Sequence, residues 1–177
     1  MPLEAAATPA TEVLMLILLL LTSLAQAETV REGFPPPQGA MLAPRTGFGS
    51  WLMERELLEH GSPVLTHSGH HVGRPHAPPQ VRVVAMPMVP GDLQQCADTI
   101  YRLRAEYLRE TNSEVVFHAT NGQTLPWARW VGGERTQLHK NTLVWVRTTH
   151  RSESAAWQSW LKELFEYAGT ISLKAHD

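Results

Sequence analysis

Cys96 stands in "GDLQQCADTIYRLRAEYL", where the pattern opens a helix, and it is the one cysteine of the chain. Free backbone N–H groups and the helix dipole at such a position favour negative charge, which suits a thiol to act as a nucleophilic thiolate. A nucleophile of this kind needs an oxyanion donor and a base. Gln94 or Gln95 can donate to an oxyanion, and Gln95 is taken as the donor. His118 and His150 are the candidate bases, each on a strand later in the chain, and no spacing singles out one of them. The competing role for Cys96 is packing. It is in register with Leu93, Ile100 and Leu103, so it can serve as a small buried hydrophobe, and Asp92 and Asp98 close by work against a thiolate.

Two further groups have suggestive chemistry. His67, His70, His71 and His76 cluster in "THSGHHVGRPH". Adjacent His70 and His71 would point apart in an extended strand, and the segment has no cysteine or carboxylate to complete a zinc site. No metal and no other cofactor is expected. Trp127, Trp130 and Trp145, with Arg129 and Arg135 near two of them, could line a groove for sugar rings; the alternative is that these tryptophans serve the core.

The elements that must position these residues follow from periodicity and punctuation. "FGSWLMERELLEHG" predicts a short helix from Phe48, stopped by Gly61. "VRVVAMPMV" predicts a strand whose end Pro87 pushes to a sheet edge. Asp92 as N-cap with Gln95 three residues on predicts the main helix, with Cys96 near its fourth position. "EVVFHATNG" predicts a strand entering an Asn121-Gly122 turn, "TLPWARWVGGERTQ" a loop or irregular hairpin, and "NTLVWVRTTH" another strand. "SESAAWQSWLKELFEYAG" predicts a helix burying Trp157, Trp160, Leu161, Leu164, Phe165 and Ala168. "TISL" predicts a further strand. The expected fold is α+β, a small antiparallel sheet packed against two main helices.

The ends of the chain carry the expectation about location. "VLMLILLLLTSLAQA", Val13 to Ala27, is an apolar run closing on Ala25-Gln26-Ala27, the pattern of a secretory signal peptide, although no Lys or Arg precedes it. The division expected is 1–27 signal peptide, 28–46 a Pro-rich spacer containing "GFPPPQGAMLAP", and 47–177 one domain. Cleavage after Ala27 removes Glu4 and Glu12, leaving as many acids as the 15 Lys and Arg. Such a neutral chain lacks the basic field that nucleic acid requires, so no nucleic-acid partner is expected. The membrane is met through the signal segment alone. A periplasmic or secreted location follows, with peptidoglycan or an envelope protein as partner.

"DLQQCAD…RLRAEYL", "FHATNG" and "YAGTISL" together resemble a bacterial family of uncharacterised exported proteins, domain of unknown function 4846. The resemblance covers about Gly47 to Leu173. Where the family has a short polar hairpin, this chain has the histidine-rich "THSGHHVGRPH". Members continue into a segment with a Gly-His step, an apolar strand and an acidic residue, and this sequence stops at Asp177 without it. A helix-opening cysteine followed by a strand histidine is similar in order to papain-like cell-wall amidases. That likeness implies Cys96 as nucleophile and a histidine in the further segment, and so a truncated, inactive copy or a piece of a longer reading frame. Two functions therefore stand open: a cysteine hydrolase acting on cell-wall amides, and a non-catalytic module that binds a glycan or protein.

Overall fold

The computed structural model describes residues 27–72, 82–149 and 152–177. The expected signal segment up to Gln26, His76 and His150 lie outside them. Elements run α1 (Val30–Gly33), α2 (Gly47–Met53), α3 (Cys96–Glu110), β1 (Val116–His118), β2 (Thr124–Pro126), α4 (Trp127–Val131), β3 (Glu134–His139), β4 (Thr142–Arg147), α5 (Glu153–Tyr167) and α6 (Thr170–Ala175). The fold is α+β. Among the described residues its strands form two separate antiparallel pairs, β1–β2 and β3–β4, rather than one sheet.

The two hairpins are joined by a side chain acting as a strand would. Gln123 Oε1 accepts the Leu143 N–H at 2.6 Å, and its Nε2 donates to the Leu143 carbonyl at 3.0 Å. The turn before it runs through Gly122 at φ 83°, a conformation that glycine adopts without steric cost. One face of β1–β2 supplies the cross-strand pair Phe117 and Leu125, both buried.

α5 forms where its sequence pattern puts it. Ser152 caps it, its side chain accepting the Ala155 N–H, and Trp157, Trp160, Leu161, Leu164 and Phe165 make one buried stripe. That stripe packs on Tyr101 and Ala105 of α3 and on Phe117 and Leu125 in a single core. Trp157 stacks on Trp160 at 5.0 Å, and Trp127 meets both rings edge-on at 5.1 and 5.8 Å.

Three elements depart from expectation. The main helix starts three residues later than Asp92: Gln95 is its N-cap, and Asp98 Oδ2 accepts the Gln95 N–H at 2.8 Å. α3 also buries another stripe, Asp98, Tyr101, Arg102 and Ala105, while Ile100 is 48% exposed. The helix expected over residues 48–61 ends at Met53, and the chain then runs extended, with isolated bridges Thr29–Glu56 and Leu57–Val84. "TISL" is helical because Ser172 Oγ accepts the Gly169 N–H at 3.0 Å and ties off the first turn.

Residues 28–33, read from sequence as spacer, are tied to this body. The Leu57 N–H donates to the Glu28 carbonyl at 2.7 Å, Arg31 pairs with Glu54, and Arg82 pairs with Glu28. No helix among the described residues is long and apolar enough to cross a membrane.

Candidate functional site: a cavity beside the start of α3

The start of α3 sets out the candidate nucleophile plainly. Cys96 is the first helical residue and is exposed. With about 100° of rotation per residue, it lies on the side of α3 opposite Ala105, so it does not pack in the core. Gln95 is exposed too; its carbonyl accepts the first helical N–H, from Thr99, at 3.1 Å.

His118 is held elsewhere. Its Nδ1 lies 2.8 Å from Asp177 Oδ1, its backbone N–H donates to Asp177 Oδ2 at 3.1 Å, and its ring sits 4.8 Å from that of His176. The same carboxylate accepts from the Tyr101 hydroxyl at 3.4 Å, and that hydroxyl also meets Ser172 Oγ at 2.9 Å. Burial raises the Tyr101 hydroxyl above the ordinary tyrosine range, and the charges of Asp177 and Asp98 add to this. This network belongs to the Tyr101 side of α3. The structure therefore does not bring Cys96 and His118 together.

The tryptophan groove closes for a packing reason. Trp130 is 4% exposed, with the Arg135 guanidinium 4.0 Å over its ring, so it has no face left for a sugar. Trp127 is half-buried against Trp157 and Trp160. Arg129 covers Trp145 at 4.3 Å while its Nε and Nη2 hold Glu134 at 2.7 and 3.0 Å. These residues stabilise the β3–β4 side of the fold.

What the structure offers instead is a cavity of about 440 Å³ on another side of α3. Its walls come from three stretches: Leu58 to Leu65, Arg82 to Met88, and Gln94, Thr99, Arg102 and Leu103. The walls are mostly apolar, with Met86 and Met88 able to adapt their shape. Beside it, sharing Val64, Leu65, Met88, Gln94 and Thr99, lies a second depression of about 460 Å³ lined in part by His67, Ser68, His70 and Asp92. There His67 Nδ1 is 3.4 Å from Asp92 Oδ1, and His70 Nδ1 is 2.9 Å from Ser68 Oγ. No group of three or more His, Cys, Asp or Glu among the described residues is arranged to hold a metal.

The polar atoms of the cavity are unusual. The Arg102 side chain is 5% exposed and its Nε lies 2.8 Å from Glu106 Oε1, which also accepts the Trp157 indole N–H at 2.9 Å. Arg102 Nη1 is sealed from solvent without a partner among the described residues, and so are Gln94 Oε1 and Arg82 Nε. Burial lowers the Arg102 guanidinium from its usual range, while Glu106 opposes the shift. Buried donors and acceptors normally find partners, so these three atoms, sealed within the walls of the apolar space, are exceptions that the described packing leaves unpaired. Sequence reading passed these residues over. The available signal was Arg102 beside Tyr101 and three residues before Ala105, a cation on a buried stripe.

These features define an α+β fold with a concave, largely apolar space beside the start of α3. The chain belongs to the family described as Domain of unknown function (4846), whose model matches residues 30–177. No curated protein and no solved structure matches it significantly.

Proposed function

We propose that the chain is an exported envelope protein that binds a small, largely apolar ligand in the cavity between α3 and the segments around Leu65 and Val84. The observation that carries this reading is a concave, mostly apolar space of about 440 Å³ walled by Leu58, Val64, Leu65, Val84, Met86 and Leu103. The apolar run Val13 to Ala27 with its Ala-Gln-Ala close supports export, and peptidoglycan or an envelope protein remains the partner expected there. A small ligand is favoured over a glycan platform because Trp130 is buried.

A second reading is the cysteine hydrolase. Its support is the exposed thiol of Cys96 at the first position of a 15-residue helix, with cavity-lining Thr99 and Leu103 at i+3 and i+7 on the same side. In that case the cavity would hold the apolar part of a substrate.

Fluorescence titration with an apolar reporter dye separates the two readings. Leu103→Trp fills the cavity and is expected to weaken binding at least tenfold, with Cys96→Ser unchanged. Equal binding by wild type and Leu103→Trp would remove the cavity from the account. Amide hydrolysis by wild type that Cys96→Ser abolishes would put the hydrolase reading first.

A further inference from the structure

We infer that His118 and His176 form a binding site for a divalent transition-metal ion of the Zn²⁺ class, with Asp177 behind them as the group that orients His118. These residues lie on the Tyr101 side of α3 and line neither the apolar cavity nor the depression beside it. Both oxygens of Asp177 are engaged. Oδ2 accepts the His118 backbone N–H at 3.1 Å and the Tyr101 hydroxyl at 3.4 Å, and Oδ1 lies 2.8 Å from His118 Nδ1. A carboxylate accepts, so Nδ1 carries the proton and the lone pair of the neutral ring sits on Nε2. Nε2 has no partner among the described residues. The His118 side chain is 27% exposed and that of Asp177 only 5%, so an ion can reach the ring while the carboxylate behind it stays fixed. Metal-ligating histidines are held in this way, by a carboxylate on the far ring nitrogen. The exposed His176 supplies the second nitrogen, its ring centre 4.8 Å from that of His118 with 33° between the planes. Two imidazoles bound at about 2.0–2.1 Å to one tetrahedral ion bring their ring centres to about 5 Å. Neutral nitrogen donors suit Zn²⁺, Cu²⁺ and Ni²⁺, whereas Mg²⁺ and Ca²⁺ take oxygen ligands. With two protein ligands the site is open, and water completes the shell.

The test is calorimetric titration of the full protein with ZnCl₂ and, separately, with MgCl₂, the fold of each variant being checked by circular dichroism. Wild type is expected to bind Zn²⁺ and to show at least a hundredfold weaker affinity for Mg²⁺. His176→Ala removes one ligand from an exposed position and should weaken Zn²⁺ binding at least tenfold. Asp177→Asn leaves both imidazoles in place but takes the charge from behind His118, and about a tenfold loss is expected. Should that variant fail to fold, His118→Gln replaces it, with a loss at least as large as for His176→Ala. The double substitution His67→Ala and His70→Ala should leave the affinity within about twofold of wild type, because those rings belong to the other side of α3. No Zn²⁺ binding by wild type, or equal affinity for Mg²⁺, would overturn the assignment. So would full affinity in His176→Ala, or binding lost in the His67→Ala, His70→Ala protein.

Discussion

Trp160→Ala is expected to destabilise the protein by about 3–5 kcal/mol, the range for removing a large aromatic ring from a packed core. Trp160 is fully buried and lies at the meeting point of the core, within 6.1 Å of Phe117, 5.8 Å of Trp127 and 5.0 Å of Trp157. The cavity left behind touches both α5 and the β1–β2 hairpin, so neither can relax into it without losing other contacts. For a chain of this size the melting temperature should fall by about 10 °C or more. The Trp160 indole N–H has no partner among the described residues. Trp160→Phe therefore removes an orphan donor together with ring volume and should cost far less, about 1 kcal/mol. Urea denaturation of both variants checks this. A loss under about 1.5 kcal/mol for Trp160→Ala would contradict the central placement of the ring.

The second large effect concerns pH. Burial raises the Glu163 carboxyl to about 7 from an ordinary value of 4.5, and the Glu166 charge adds to this. Contacts from Thr136 and Trp130 and the charge of Arg135 act the other way. The folded state thus holds a proton at Glu163 that the unfolded chain releases near pH 4.5. Where the native state binds more protons, stability falls as pH rises, here between about pH 4.5 and 7. Full linkage would give a loss of about 3 kcal/mol, and solvent screening of this partly exposed carboxyl brings it to roughly 2 kcal/mol. Glu163→Gln keeps an acceptor for the Thr136 hydroxyl, which donates to Glu163 Oε1. The variant should match wild type near pH 4 and exceed it by about that amount at pH 8. Denaturation midpoints at the two pH values decide the matter, and equal pH dependence in both proteins would contradict the half-buried placement of Glu163.

α5 and the Asn121-Gly122 hairpin were legible because their signals are local and agree with one another. Ser152 caps where an unbroken tryptophan and leucine stripe begins, and glycine stands where the turn requires positive φ. α3 was misread for an identifiable reason. Counting apolar letters favours Leu93, Cys96, Ile100 and Leu103, whereas the stripe actually buried contains Asp98 and Arg102. Those charges are tolerated inside because Asp98 bonds the Gln95 backbone and Arg102 pairs with Glu106 one turn on. Neither pairing shows in a hydropathy pattern. That register also moved Cys96 to the outside and Arg102 to a cavity wall.

The cavity itself was beyond sequence reading. Its walls come from residues 58–65, 82–88 and 94–103, and the first two are short extended stretches held by isolated bridges such as Leu57–Val84 rather than by a patterned sheet. "TISL" shows the same limit on a smaller scale. Its β-branched residues suggest a strand, yet the Ser172 cap and its bond to the Tyr101 hydroxyl fix a helix.

The most direct test of the binding account is a crystal structure of the full protein grown with a saturating concentration of the apolar reporter dye. The account predicts the dye lying in the cavity between Leu65, Val84 and Leu103. An empty cavity at saturation, or the ligand bound at another surface, would contradict it.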